Sequence, residues 1–310
     1  MLGVDNMSFN LYLAGGRVST PDDLLITKGC AVLFSQINDR KAIMKFLEVM
    51  SDKNKLFIDS GAYSAWTKNK HIDVDDYIKF INENTDKFTL FASVDDIPGE
   101  FRKKPTLLEQ RESPAKSWHN YLIMREQIKE KDKLLPVFHI GEDFRHLQNI
   151  LDTTFHGKHI PYIGLGGTVG STNRDKANWY QQCFKIIGQS NNPNVKVHAF
   201  GMTNLNILEN YPFESADSTT WLVTAINGEM CTKYGRVSMT PKTNHRANYY
   251  GKVSPFMQQY VKEQCIKYGI SLEGCMEDQE VRQQYNINYF KDWADNYEYK
   301  GNSRYQKRLF

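Results

Sequence analysis

Leu56-Phe57-Ile58-Asp59, followed at once by Ser60-Gly61-Ala62-Tyr63, is a short apolar run that ends on an acid and breaks into a glycine turn. Near-continuous apolar runs of this length suit strands of a parallel sheet covered on both faces. The same figure recurs downstream. Thr89–Val94 runs into Asp95-Asp96, Leu135–His139 into Ile140-Gly141-Glu142, and Tyr162–Gly164 into Leu165-Gly166-Gly167. Val195–Phe200 runs into Gly201-Met202, and Ser215–Asp217 closes the series. Upstream, Leu11–Ala14 and Ala31–Ser35 bring the count to eight. Segments with helical apolar spacing lie between them, at Lys41–Met50, Asp76–Ile81, Ala115–Ile128, Phe144–Leu151 and Ala177–Ile187. Eight strand–helix alternations predict an α/β fold of the (β/α)8 TIM-barrel type.

The 310 residues suit that fold, which typically needs about 250. No linker or repeat marks a second domain. Residues 1–225 read as the barrel, and 226–310 as a basic loop and C-terminal helices packed on it, with helices expected at Ser254–Lys267 and Asp278–Asp295. A net charge of +3 neither demands nor excludes a nucleic-acid partner. No apolar run approaches the roughly 20 residues of a membrane span, and residues 1–16 lack the pattern of a signal peptide. Five scattered cysteines without a C-x-x-C pair read as free thiols in a reducing, cytoplasmic setting.

In such a barrel the C-terminal strand ends meet at one mouth, where active sites sit. Asp59, Asp95, His139, Gly166, Gly167 and Asp217 therefore converge, although they are far apart in sequence. Each has a plainer reading: an Asp at a strand end is often the N-cap of the next helix, and a glycine pair often only permits a turn. Gly166-Gly167 lacks the following G-K-[ST] of a phosphate loop, and the paired-histidine patterns of metal-dependent hydrolases are missing, so no metal or other cofactor is expected.

The strand ends resemble, in order, those of the tRNA-guanine transglycosylase superfamily. Its D-S-G-G-[FY], F-D-E-C, V-Q-G-G, G-L-A-V-G, M-G-V-G and F-D-x-x-x-P-T-R motifs have counterparts in Asp59–Tyr63, Ser93–Asp96, Val137–Gly141, Gly164–Gly167, Ala199–Met202 and Ser215–Thr220. The resemblance spans roughly residues 10–220. The chain departs from the family in lacking the C-x-C-x-x-C zinc motif, with only Cys231 and His245 in that region, and in carrying His139 for the glutamine. It also lacks the proline and arginine after the last strand. These departures make it most similar to the phage and bacterial DpdA-like DNA-guanine transglycosylases, without a zinc subdomain.

The resemblance implies exchange of guanine for a 7-deazaguanine derivative in DNA. Breaking and remaking a bond at one C1′ with retention calls for a covalent nucleophile, assigned to Asp217, and a partner acid/base, assigned to Asp59. Asp95 suits the N1–H and N2–H₂ donors of guanine. Gly166 and Gly167 offer backbone N–H groups to O6, His139 faces the base or its 7-substituent, and Tyr63 with Phe200 or Met202, beside Gly201, flanks the ring. The base must be flipped out of a duplex to reach them. Lys233, Arg236, Lys242 and Arg246, interleaved with Tyr234, Tyr249 and Tyr250, mix cations with aromatics as nucleic-acid surfaces do. Lys300, Arg304, Lys307 and Arg308 are further candidate backbone contacts. The expected partners are DNA and a free base, with no membrane; a homo-oligomer is an open possibility, as is a host cytoplasm if the source is a phage. The alternatives are a tRNA-guanine transglycosylase, a base-removing N-glycosylase, a non-catalytic subunit of the same superfamily, and a generic sugar-phosphate barrel.

Overall fold

The computed structural model describes residues 9–16, 20, 22–202 and 204–300. Its strands are β1 (Asn10–Ala14), β2 (Ala31–Ser35), β3 (Lys55–Asp59), β4 (Leu90–Ala92), β5 (Leu134–Leu135), β6 (Val137–His139), β7 (Thr154–Phe155), β8 (Lys158–His159), β9 (Tyr162–Gly166), β10 (Lys196–Ala199), β11 (Ser215–Ser218), β12 (Glu229–Thr232) and β13 (Gly235–Ser238). Nine of them form one all-parallel sheet in the order β5-β4-β3-β2-β1-β11-β10-β9-β6. The sheet is mixed with helices and nearly closed, a TIM-barrel-like architecture. All eight expected strand positions are occupied.

Pro136 separates β5 from β6. Proline has no N–H to give to a ladder, so the chain divides its pairing there. β5 pairs with β4 and β6 with β9. Ser93 N donates to Leu135 O at 3.0 Å and Gly164 N to Pro136 O at 2.8 Å, which carries the wall past the break.

Alternation along the strands sorts side chains into two cores. Tyr12, Ala14, Leu33, Phe57, Leu90, Ala92, Leu135, Val137 and Tyr162 cluster inside the sheet. Their neighbours Leu11, Leu13, Val32, Phe34, Leu56 and Ile58 pack outward against the helices. The helix Val74–Asn84 also sends Tyr77 to the ends of two strands, its hydroxyl 3.2 Å from Ile58 O and 3.1 Å from Ala92 O.

The expected C-terminal helices appear at Pro255–Tyr268 and Gln279–Asp295, with a short helix Leu272–Glu277 between them. The last helix is bonded to the rest of the fold: Phe9 N donates to Ala294 O, and Asn286 Nδ2 to Trp221 O. Within the stretch expected to be a basic loop, residues 229–238 form the antiparallel hairpin β12–β13. Asn286 Oδ1 accepts from Cys231 N in it at 2.8 Å, so a distant helix fixes the hairpin. No helix among the described residues is long and apolar enough to cross a membrane.

Candidate active site

Period-two alternation decides which polar side chains enter the barrel. On β3, Phe57 faces inward, and so does Asp59 two residues on. On β10 His198 faces inward, and Phe200 does so just past the strand's end, because Val197 and Ala199 belong to the outer core. On β11, Ser215 and Asp217 lie on one face.

Asp217 is 8% exposed and sits on two donors through one oxygen. Gly201 N donates to Oδ1 at 2.8 Å, and His198 Nε2 lies 3.2 Å from the same atom. His198 Nδ1 is 2.6 Å from Ser215 Oγ, which is 2.6 Å from the Tyr162 hydroxyl. Burial lowers the His198 pKa, so the ring is neutral and carries one proton. Facing a carboxylate, that proton belongs on Nε2, and Nδ1 then accepts from Ser215, whose oxygen accepts from Tyr162. Burial also raises the Tyr162 phenol, which keeps its proton. The chain of donors runs in one direction, toward Asp217. No described residue bonds to Oδ2 of Asp217.

Asp59 stands on the neighbouring side of the mouth. Its Oδ2 accepts from Gly61 N at 2.9 Å. Burial pushes its pKa up to about 7; the Gly61 amide opposes that, and the charges of Asp217 and Asp95 add to it. The turn requires glycine. Gly61 has φ +81°, and a Cβ there would meet Ile37 Cγ2 at 2.3 Å and Ser35 Oγ at 2.4 Å.

Asp95 lies beyond β4, where helix Leu107–Gln127 takes over the backbone. Asn120 Nδ2 donates to Val94 O at 3.0 Å, and Asp96 N to Ser117 Oγ at 2.9 Å. Asp95 Oδ2 is 3.3 Å from His139 Nε2, and His139 Nδ1 is 2.9 Å from Glu142 Oε1. Burial works against a charge on His139, but Asp95 and Glu142 outweigh it and lift the imidazolium pKa to about 10. Burial likewise raises Asp95, with His139 pulling it back. Asp95 Oδ1 is buried without a hydrogen-bond partner. Gly166 and Gly167 make room for the histidine: a Cβ on either would lie 3.2–3.3 Å from His139 atoms.

The capping alternative does not account for the three acids. The helix after Asp59 starts from Gly61, and the helix after Asp217 from Thr219. Acids that do cap lie elsewhere: Asp143 accepts from Arg145 N, and Asp23, Asp73 and Asp278 cap other helices in the same way.

Other expected residues fall elsewhere. Tyr63 is 54% exposed beside the mouth, its ring 5.9 Å from Trp66. Phe200 points into the barrel, 4.5 Å from the His198 ring, in space left by Gly164. Met202 is 1% exposed in the outer core and is not presented to a ligand, a correction to the expected ring sandwich. Gly201 turns its amide to Asp217. Of the four basic residues, Arg246 is bound to Glu229 at 3.0 Å and Arg236 lies 4.0 Å from it. Lys233 rests over the Tyr234 and Tyr260 rings, and Lys242 is exposed. Lys300 is paired with Glu209, while Arg304, Lys307 and Arg308 lie outside the described residues. Among the described residues no group of three or more His, Cys, Asp or Glu is arranged to hold a metal ion.

No family model matches the chain, and no curated protein matches it.

Proposed function

We propose that the chain is a DNA-guanine transglycosylase on a (β/α)8 barrel, with β5 and β6 as one strand interrupted at Pro136. The observation that carries this reading is the contrast between two carboxylates at one mouth. Asp217 accepts two hydrogen bonds on Oδ1 and keeps Oδ2 free, while Asp59 is raised to about 7. A carboxylate oxygen left free beside a carboxyl that holds its proton to near neutrality suits a nucleophile and a general acid.

In the first half-reaction Asp217 Oδ2 attacks C1′, the C1′–N9 bond breaks, and its electron pair leaves with guanine. The Asp59 carboxyl gives its proton to the departing base. In the second, the Asp59 carboxylate takes the N9 proton of the incoming 7-deazaguanine, N9 attacks C1′, and the Asp217–C1′ bond breaks. A pKa near neutrality lets one group perform both transfers. The unpartnered Asp95 Oδ1 is an acceptor suited to the N–H edge of a guanine-like base. Adenine has no such donor pair and leaves that acceptor unpaired, which rejects it.

The test is incubation with duplex DNA, or with tRNA, and a panel of 7-deazaguanine bases, followed by digestion and mass spectrometry of the nucleosides. A modified deoxynucleoside is expected. A modified ribonucleoside moves the substrate to tRNA, and base loss without replacement makes the protein a hydrolase.

A further inference from the structure

The loop after β4 continues from Asp95 into Phe101-Arg102-Lys103-Lys104-Pro105-Thr106-Leu107-Leu108. It leaves a strand C-terminus and therefore stands on the mouth side of the barrel. Leu107 is 72% exposed and Leu108 64%. Arg102, Lys104 and Arg111 are exposed, and none has an acidic partner among the described residues; Lys103 is paired with Glu100. The loop is firmly built. Trp66 Nε1 donates to Gly99 O at 2.7 Å, the Phe101 ring meets Trp66 edge-on at 5.2 Å, and Arg102 lies over Phe101. A capping box between Thr106 and Glu109 fixes the helix start that carries the two leucines. Beneath it a groove of about 510 Å³ runs past Trp66, Phe101 and Glu100 to Asp95.

We infer that this loop grips double-stranded DNA beside the mouth, with Arg102, Lys104 and Arg111 on phosphates and Leu107–Leu108 inserted into the base stack. The inference rests on the mouth being a nucleobase site. Buried carboxylates inside a barrel cannot reach a base within a duplex, so the nucleotide must swing out. The gap it leaves is apolar on both faces, and proteins that open a stack fill such gaps with aliphatic side chains. Two adjacent leucines left in water, flanked by unpaired cations on the loop that also carries Asp95, match both parts of that demand. The order of the loop before contact keeps the leucines aimed.

The probe is a labelled DNA duplex with 2-aminopurine beside guanine, titrated with full-length protein across a range of salt. Arg102→Ala/Lys104→Ala/Arg111→Ala is expected to weaken binding by about tenfold or more and to flatten the log–log salt dependence by about 2–3. Leu107→Ala/Leu108→Ala is expected to bind within about threefold of wild type, as phosphate contacts carry most of the affinity, yet to lose the 2-aminopurine signal of unstacking. Unchanged affinity and slope in the first variant, or retained unstacking in the second, overturns the inference. So does leucine-dependent binding to anionic vesicles with DNA behaviour intact, which makes the loop a membrane contact. These readouts need no base exchange. Loop-dependent DNA binding in a protein that never exchanges bases refutes the transglycosylase reading alone. Exchange that continues while the loop variants bind as wild type refutes the loop alone.

Discussion

His198 Nε2 lies 3.2 Å from Asp217 Oδ1, and the histidine is fully buried between Asp217 and Ser215. A neutral imidazole donating to one carboxylate oxygen fixes the rotamer of Asp217 and turns the other oxygen free. His198→Phe keeps ring volume and removes the donor. A charge-assisted hydrogen bond of about 1.5–3 kcal/mol corresponds to roughly a 10–150-fold loss in the covalent step. Single-turnover trapping on a guanine-containing polymer measures it; an unchanged rate removes His198 from any positioning role.

Asp217→Ala should abolish the covalent adduct altogether while leaving the circular dichroism spectrum intact. The check is a denaturing gel of protein quenched with labelled DNA. An adduct of wild-type yield in this variant places the nucleophile elsewhere.

Asp59→Asn should slow exchange by about 10²–10⁴-fold, the range of one general acid–base group. The wild-type rate of base release should fall as pH rises through about 7, where Asp59 loses its proton. Stability carries the same signature. With a folded pKa near 7 against an ordinary 3.8, the folded chain binds more protons than the unfolded one between those values. Wild-type stability therefore declines across that window. The variant lacks the group, so its melting temperature should gain on wild type between pH 4 and pH 7, as read by calorimetry.

His139 should remain doubly protonated at pH 8 by ¹⁵N NMR, since its pKa is lifted to about 10. Its stabilising contribution is complete below about 6.5 and is lost as pH rises through 10. His139→Ala leaves two carboxylates facing each other's field and should cost about 2 kcal/mol or more, somewhat below the loss for a fully buried pair. Asp95→Ala breaks the same pair, with a similar loss of stability, and should in addition weaken the preference for guanine over adenine in competition assays.

The strands are legible because they are short apolar runs, several of which end on glycine or acid, and Asp59, Asp95 and Asp217 are legible as such ends. β9 runs two residues beyond its expected end because Gly164, Leu165 and Gly166 look like a turn in sequence. Only pairing with β6 and β10 keeps them extended. The hairpin β12–β13 is not legible in the sequence because its two turn residues, Lys233-Tyr234, include no Asn or Gly, and because the partner that fixes it, Asn286, is far along the chain. His198, absent from the expected site, does carry a signal in the sequence. In Val197-His198-Ala199 it is the lone polar residue in an apolar run, on the inward face of its strand. The ion triplet of Asp95, His139 and Glu142 had no such signal, since it depends on where two loops meet.

The break at Pro136 gives this site a mechanical side. β4 pairs with β5, and β6 pairs with β9, so above the Ser93–Leu135 bond no strand pairing joins the Asp95 loop to Val137–His139. The Asp95–His139 ion pair crosses that seam and works as a stitch in the barrel wall. A ligand that draws the Asp95 carboxylate toward itself takes tension off the stitch. Asp95 Oδ2 holds the wall and Oδ1 is left over for a ligand, so a pull on one oxygen reaches the stitch through the same carboxylate.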